Sequence, residues 1–205
     1  MKLPTLEKEK NLISSGHKFI AGIDEVGRGS WAGPIVAAAL IITPNDMKYA
    51  KKIPARDSKL LSQRQRENIF HDIQNYFQYA IGIVDSSIID SKGITFANQL
   101  AMDRAQKALE IQPDYILSDG RGFHFEKKFE NIIDGDALVF CIAVASIMAK
   151  VIRDKIMDEW HAIYDMYGFN LHKGYGTKKH REMLKQHGIC SIHRRSYAPI
   201  RKLLY

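Results

Sequence analysis

The stretch FIAGIDEVGRGSWAGPIVAAAL, residues 19–40, places two adjacent acids inside otherwise apolar sequence. Residues 19–23 are typical of a β-strand, and residues 34–42 are typical of a partner strand across a glycine-rich turn. Asp24 and Glu25 directly follow the first of these strands. Because neighbouring half-buried carboxylates repel each other, we expect a positive charge to lie beside this pair.

The remaining sequence alternates between strand and helix patterns. The predicted elements are a helix from its N-cap Ser62 to about residue 76, a strand at 79–84, a helix at 95–109, a strand at 114–118, a helix at 138–164, and basic helical pieces at 177–187 and 198–204. This alternation predicts an α/β fold of three layers, with a central mixed sheet flanked by helices and a small C-terminal helical part.

Composition narrows the class of protein. Thirty Lys and Arg against 23 Asp and Glu give a net charge of +7, which suits a polyanionic partner. There is no run of 18 apolar residues to span a membrane, and residues 1–18 lack the apolar segment of a secretory signal. Cys141 and Cys190 have neither a disulfide framework nor zinc spacing. We expect one cytoplasmic domain with reduced thiols.

Two further acids are predicted to join the first pair. Asp119 follows the strand in DYILSDG, and Asp136 lies in IIDGDAL just before the long helix. Four carboxylates without clustered His or Cys favour a hard cation such as Mg²⁺ or Mn²⁺. The alternative is that single acids such as Asp119 only form turns, since Asp-Gly pairs are common turn sequences. That alternative does not explain Asp24 and Glu25, which interrupt an apolar stretch.

Glycine-rich and basic segments are candidates for contacts with a ligand. Gly27, Arg28 and Gly29 form a turn whose backbone N–H groups can approach a ligand closely, although any tight turn has this composition. HKGYGT, residues 172–177, is a poor helix or strand, but it is a reasonable loop for gripping a phosphate backbone, with Tyr175 free to stack.

The long predicted helix carries a polar and basic face. Ser146, Lys150 and Arg153 lie at i, i+4 and i+7, which places them on one side of the helix. A solvated basic face is the alternative interpretation of this pattern.

The motifs GIDEVGRGSWAGPIVAAA, DSKLLSQRQRE, LSDG, GDA, ASIMAKVIRDKIM, HKGYGT and HRRSY occur in this order between residues 22 and 197. Together they resemble bacterial ribonuclease HII, the type 2 ribonuclease H family. The resemblance implies a ribonuclease H-like fold with a catalytic core at about 18–165 and a substrate-binding part at about 166–205. It also implies hydrolysis of the RNA strand of RNA–DNA hybrids, and cleavage on the 5′ side of single ribonucleotides in duplex DNA that leaves a 3′-hydroxyl and a 5′-phosphate.

The resemblance also assigns roles to individual residues. Two Mn²⁺ or Mg²⁺ ions would be held by Asp24, Glu25, Asp119 and Asp136, with Asp24 as the bridging ligand. The element Gly27-Arg28-Gly29 would read the ribose 2′-OH, and Tyr175 would pack on the neighbouring deoxyribose. The remaining contacts to nucleic acid would come from Lys59, Ser146, Lys150, Arg153, His172 and Lys173.

The chain departs from the family pattern at Asp134, where a lysine is usual, so Asp134 and Asp154 remain rivals to Asp136 as the fourth ligand. Other functions stay open at this point. They are a type 1 ribonuclease H or a junction-cleaving nuclease of the same superfamily, and a catalytically silent nucleic-acid-binding module. We expect a monomer that binds RNA–DNA hybrid and ribonucleotide-containing duplex DNA, and no membrane.

Overall fold

The fold is a mixed sheet covered by helices on both faces. A computed structural model describes residues 3–55 and 58–204, and of Lys59 only the backbone. The strands are β1 Ile20–Val26, β2 Ile35–Ile42, β3 Tyr79–Val84, β4 Tyr115–Asp119 and β5 Lys128–Ile132. They lie in the order β3-β2-β1-β4-β5. The β1–β2 and β2–β3 pairs are antiparallel, whereas β1–β4 and β4–β5 are parallel.

The helices follow the predicted order with some additions. The α-helices are α1 Glu7–Ser14, α2 Met47–Ala50, α3 Gln63–Tyr76, α4 Ser86–Lys92, α5 Ile94–Lys107, α6 Gly135–Leu138, α7 Phe140–Ile163, α8 Phe169–His172, α9 Lys178–His187 and α10 Ala198–Arg201. Short 3₁₀ turns lie at Pro44–Asp46, Ser58–Leu60 and Asp165–Tyr167. Within the described ranges, no helix is long and apolar enough to cross a membrane.

Alternation along the central strands builds the three layers. In β2, Val36, Ala38, Leu40 and Ile42 pack towards α7 and α3 on one face of the sheet. The intervening residues of β2 pack towards α5 on the other face. Because successive side chains of a strand point to opposite faces, a strand that is apolar throughout becomes buried on both sides. This confirms the predicted α/β fold.

The C-terminal helices pack on one end of this body. A third apolar cluster joins Phe169, Leu184 and Ile200 from the C-terminal part to Ala32 and Met157 of the preceding part. The two parts of the chain also contact each other through the main chain, where Gly33 N–H donates to the Ile192 carbonyl at 2.9 Å. The segment after β1 is therefore covered by residues that come much later in the chain.

Several elements were not predicted from the sequence, among them β5, α1 and α4. β5 is a short edge strand, and α1 packs against the start of α7, where buried Glu9 accepts a hydrogen bond from the Cys141 N–H at 2.8 Å. An acid near the first turn of a helix satisfies backbone donors that lack a partner within the helix. The helix predicted from Ser62 is confirmed, with Ser62 as N-cap in a capping box with Gln65.

Candidate active site

The two adjacent acids lie inside β1. We predicted that they follow the strand, and this is wrong, because β1 stays paired with β2 as far as Val26. Asp24 lies opposite Ala38 and Glu25 opposite Ala37. Since successive strand residues alternate between faces, the Asp24 side chain lies on the α7 side and Glu25 on the α5 side. The strand thus separates two carboxylates that are neighbours in sequence.

Asp119 and Asp136 lie at the end of the sheet where β1 and β4 finish. Asp119 ends β4, which is parallel to β1. Its Oδ1 accepts a hydrogen bond from Gly135 N–H at 2.6 Å, which ties α6 to the end of β4. Asp136, the next residue, is buried. The strand ends and α6 therefore bring together the four acids that the sequence singled out.

These acids share a cavity of about 430 Å³. Its lining consists of Asp24, Glu25, Val26, Ser58, Asp119, Asp136, Ser146, Lys150 and Tyr175. The lining combines carboxylates with hydroxyls, one lysine and one aromatic ring. This is the composition expected of a site that handles a charged, polar substrate.

The electrostatics of the cavity disfavour several negative charges at once. Burial, and next the charges of Glu25 and Asp119, raise the pKa of Asp24 well above its ordinary value. Burial also raises the pKa of Glu25. The pKa of Asp119 is raised by burial and by the charge of Asp136. Bringing a cation into the cavity would relieve each of these unfavourable interactions.

The donor set fits a hard divalent cation in its chemistry, because carboxylate oxygens are the ligands such ions prefer. Across residues 3–55 and 58–204, however, no three His, Cys, Asp or Glu side chains already surround one point closely enough to hold an ion. The acids nevertheless line one cavity and are close enough for their charges to raise one another's pKa.

The two rivals of Asp136 lie elsewhere. Asp134 is exposed and precedes α6 in the left-handed conformation, with φ of 55°. Asp154 forms ion pairs with Lys150, at 2.6 Å, and with Arg66, at 3.7 Å. Neither acid lines the cavity that the structure describes. The geometry therefore favours Asp136 as the fourth member of the acid set.

Ser146 and Lys150 reach the cavity from α7. Ser146 hydrogen-bonds to the Asp24 carboxyl, and its Oγ lies 3.0 Å from Ser58 Oγ. Burial lowers the pKa of the Lys150 amine, whose Nζ donates to Asp154 Oδ1. Both residues therefore line the cavity beside the acids.

Arg153 lies on the same helix but is fully buried. Its guanidinium donates to Pro34 O at 2.9 Å, Ala32 O at 3.1 Å, Ser30 Oγ at 2.7 Å and Lys173 O at 2.9 Å. A side chain bonded in this way cannot also reach a substrate phosphate. The expectation that Arg153 contacts phosphate is corrected, since the segment after β1 and the loop around Lys173 cover this part of α7.

The expectation that His172 contacts nucleic acid requires a similar correction, whereas that for Lys173 stays a prediction. The buried His172 ring has Nε2 2.8 Å from the Tyr167 carbonyl, and its Nδ1 accepts the Gly174 N–H at 3.2 Å. The Lys173 amine forms an ion pair with Asp158. Both side chains therefore hold the loop in place. The side chain of Lys59, another expected contact, lies outside the described residues.

The backbone carbonyls of Gly27 and Arg28 accept hydrogen bonds from within the protein. The Gly27 carbonyl accepts from Ser30, and the Arg28 carbonyl accepts from Arg194 and from the Tyr197 hydroxyl. In a trans peptide the following N–H points away from the carbonyl. Within the described residues, neither the Arg28 N–H nor the Gly29 N–H donates to a backbone carbonyl.

Tyr175 stands at the rim of the cavity. Tyr175 is 36% exposed, so its ring is available to a ligand. The neighbouring glycines allow close packing, because a Cβ on Gly176 would lie 2.2 Å from the Trp31 ring. The loop is held against the segment after β1, where Trp31 N–H donates to the Gly174 carbonyl at 2.8 Å.

Sequence reasoning missed several residues of this region. Ser58 lines the cavity, and buried Arg194 binds Gly33 O and Arg28 O. Asn98 on α5 is buried and interacts with the Glu25 carboxyl. Ser58 and Arg194 lie inside motifs that the sequence does show, DSK and HRRSY. Asn98 has no sequence signal beyond being a polar residue on the apolar face of a helix.

Comparison with known proteins identifies the family. The family model described as Ribonuclease HII matches residues 21–200. A ribonuclease HII of Endomicrobium trichonymphae is 46% identical over 202 residues, covering 96% of this chain and 93% of the relative. The chain belongs to the ribonuclease HII family. It is therefore a ribonuclease H, an endonuclease that hydrolyses phosphodiester bonds.

Solved structures agree with this assignment. The ribonuclease H2 of Pyrococcus horikoshii superposes with a TM-score of 0.78 at 26% identity, over 90% of this chain and 96% of its own. Bst-RNase HIII, solved in complex with Mn²⁺, superposes with a TM-score of 0.72 at 17% identity, over 91% of this chain and 69% of its own. At that identity the second likeness shows the shared fold alone.

Proposed function

We propose that this ribonuclease H cuts duplex DNA on the 5′ side of embedded ribonucleotides, leaving a 3′-hydroxyl and a 5′-phosphate, and that it also hydrolyses RNA–DNA hybrids. The observation that carries the proposal is the placement of Tyr175. Its exposed ring lines the same cavity as Asp24, Glu25, Asp119 and Asp136. A ring at this position can contact the sugar next to the bond that is cut.

The 2′-OH would be read by the segment that directly follows β1. The N–H groups of Arg28 and Gly29 donate to no backbone carbonyl among the described residues, and a ribose hydroxyl could accept a hydrogen bond from them. Glu25 lies only a few residues before them in the chain. Recognition of the ribose would therefore take place beside the catalytic acids.

Tyr175 would test the sugar on the 3′ side. Packing of an aromatic ring on a deoxyribose leaves no room for a 2′-OH on that sugar. The preferred substrate would then be a ribonucleotide followed by DNA. Aromatic contacts with nucleotides contribute ~1–3 kcal/mol, and contact with a sugar belongs at the low end of that range.

The four acids, Asp24, Glu25, Asp119 and Asp136, would hold two divalent ions, Mn²⁺ or Mg²⁺. Bound there, such ions would supply the activation of a water molecule and the stabilisation of the leaving oxygen. The presence of Mn²⁺ in the structure of Bst-RNase HIII supports a divalent ion in this fold. Within the protein, Ser146 would fix the Asp24 carboxyl by its hydrogen bond. The Lys150 amine would hold the phosphate in position.

The test is cleavage of a DNA duplex that carries one ribonucleotide, with Mn²⁺ or Mg²⁺, beside a uniform RNA–DNA hybrid. We expect cuts 5′ to the ribonucleotide. Tyr175→Ala should lower the ratio of kcat/KM for the single ribonucleotide to kcat/KM for the hybrid by about fivefold, which corresponds to ~1 kcal/mol. Tyr175→Phe should keep most of the ratio. Under the proposal the ring discriminates by packing on the sugar, and phenylalanine keeps the ring and loses only the hydroxyl.

The matched control is Tyr76→Ala, which removes an exposed tyrosine that does not line the cavity. It should leave the ratio unchanged. An enzyme that cuts only runs of ribonucleotides would contradict the proposal and favour a type 1 activity. An unchanged ratio in Tyr175→Ala would show that Tyr175 does not sense the junction between a ribonucleotide and the DNA that follows it.

A further inference from the structure

Arg153 connects two parts of the molecule that are far apart in sequence. It binds Ser30 Oγ, Ala32 O and Pro34 O in the segment after β1, and Lys173 O in the loop that carries Tyr175. We call residues 27–34 the ribose loop and residues 172–177 the tyrosine loop. One buried side chain thus contacts both loops.

The two loops also contact each other directly. Trp31 and Ala32 N–H both donate to the Gly174 carbonyl, at 2.8 and 3.3 Å. A Cβ on Gly174 would lie 2.4 Å from the Ala32 carbonyl oxygen, and a Cβ on Gly27 would lie 2.2 Å from Arg153 Nε. The glycines allow the loops to close on each other and on the guanidinium.

A buried guanidinium is costly to desolvate unless its donors are satisfied. Burial lowers the pKa of Arg153 to about 10, so the group stays charged at neutral pH. The four acceptors named above are neutral oxygens. The planar group holds them in a fixed arrangement, which a lysine amine cannot do with one flexible nitrogen. The Arg153 Cζ also lies 5.4 Å from the centre of the Tyr175 ring.

We propose that Arg153 is a positioning residue that sets the distance between the ribose loop and Tyr175, so that a ribose and the next deoxyribose are read together. This inference rests on the function proposed above. Arg153 itself touches no substrate. It acts by keeping the N–H groups of Arg28 and Gly29 and the ring of Tyr175 at a separation that matches neighbouring sugars.

Arg194 provides a matched control, because it is also buried and also binds carbonyls. Its acceptors are Gly33 O and Arg28 O, with the Tyr197 hydroxyl beside them. These contacts secure the ribose loop but do not include the tyrosine loop. Replacing Arg194 by lysine should weaken reading of the 2′-OH, which both substrates carry, without changing the preference between them.

The first experiment measures kcat/KM of Arg153→Lys on the single-ribonucleotide duplex and on the uniform hybrid. We expect the ratio of the two values to fall about as far as in Tyr175→Ala, roughly fivefold, and no further in the double variant. Arg194→Lys should lower both values by the same factor. A ratio that stays at the wild-type value in Arg153→Lys, while Tyr175→Ala lowers it, would overturn the role of Arg153.

The second experiment follows amide hydrogen exchange in the absence of substrate. Arg153→Lys should speed exchange at the Trp31 and Ala32 amides and in the tyrosine loop together, whereas Arg194→Lys should speed it in the ribose loop alone. Exchange confined to one loop in Arg153→Lys would contradict the inference. Because this measurement needs no substrate, it separates failure of this inference from failure of the proposed function.

Ser30→Ala keeps the test decisive if Arg153→Lys does not fold. It removes one acceptor, at 2.7 Å from Arg153 Nη2, and leaves the other three. We expect a smaller fall in the same ratio and faster exchange at Ala32. Wild-type behaviour of Ser30→Ala in both measurements would count against the proposal.

Discussion

Gly22 of β1 packs directly on the backbone of Cys141 at the start of α7. A Cβ at Gly22 would lie 2.4 Å from the Cys141 carbonyl carbon and 2.5 Å from its oxygen. This close approach brings α7 down onto β1 two residues before Asp24. It allows Ser146 to reach the Asp24 carboxyl.

Gly22→Ala should therefore destabilise the protein, because backbone atoms would have to move apart. We expect a loss of about 1–3 kcal/mol in the free energy of unfolding, measured by urea denaturation. Gly29→Ala is the control, since nothing lies within 4 Å of its added Cβ. Equal stability of Gly22→Ala and wild type would mean that α7 can shift freely on the sheet.

Asp24→Asn should abolish cleavage, by at least ~10³-fold, while the fold and binding to nucleic acid survive. Without divalent ions the variant should be no less stable than wild type, because one of the repelling carboxylates is gone. Mn²⁺ should raise the Tm of wild type more than that of the variant. Near-wild-type turnover would exclude the two-ion assignment, and Asp72→Asn, an exposed acid of α3, serves as the control.

The fourth acid can be identified by comparing three asparagine variants. Asp136→Asn should cost far more activity than Asp134→Asn, because Asp134 is exposed and asparagine tolerates its left-handed φ of 55°. Asp154→Asn should mainly lower stability, since it breaks the ion pairs with Lys150 and Arg66. If Asp154→Asn proves the most damaging to kcat, Asp136 is not the fourth ligand.

Affinity for duplex should fall steeply with salt, because a net charge of +7 is available for phosphate contacts that release counterions. Lys150→Ala should reduce the slope of log K against log salt by about 0.9, the value for one phosphate contact. Lys10→Ala, an exposed lysine of α1, should leave the slope unchanged. A flat response in wild type would show that phosphates contribute little to binding.

Buried histidines behind the tyrosine loop form a chain of hydrogen bonds. His180 Nδ1 donates to the Tyr175 carbonyl at 3.0 Å, and His193 Nδ1 accepts the Cys190 N–H at 2.9 Å. The remaining proton must lie between the two Nε2 atoms, which are 3.0 Å apart. His172 stacks on His180 at 4.4 Å. Both members of the pair are therefore neutral in the folded protein.

Stability should consequently fall on acidification. Burial lowers the pKa of His180 to about 3 and that of His193 to about 4. The unfolded chain binds these protons below pH ~6.5, and the folded chain does not, so the free energy of unfolding falls as pH drops from ~6.5 towards 4. Each histidine contributes up to ~1.4 kcal/mol per pH unit in this window.

Urea denaturation between pH 7.5 and 4.5 measures this slope. His193→Gln keeps an N–H donor towards His180 but does not titrate, so its slope should be smaller than that of wild type. His71→Gln, an exposed histidine, should leave the slope unchanged. The same slope in wild type and His193→Gln would contradict the neutral pair.

Local patterns predicted most elements and the acid set. The apolar runs of β1, β2 and β3 and the cap at Ser62 are local signals, and each was confirmed. The extension of β1 to Val26 was missed because acids are poor strand formers, yet pairing with β2 holds them in the strand. The edge strand β5, with sequence KFENI, has too little apolar content to indicate a strand.

The burial of Arg153 could not be predicted from the sequence. Helical spacing placed it on the face of α7 that also carries Lys150, but spacing does not reveal what covers that face. The acceptors Pro34 O and Ser30 Oγ lie 119 and 123 residues away in the chain. Only the folded arrangement shows that one cation of this face reaches the cavity and the other is enclosed.

The bonds from Arg194 to Gly33 and Arg28 span 161 and 166 residues. During synthesis on the ribosome, the ribose loop is made early, and its anchor emerges only after nearly all of the sheet and α7 have been translated. Under the proposed function, a growing chain thus carries its acids long before it can anchor the loop that would read the ribose.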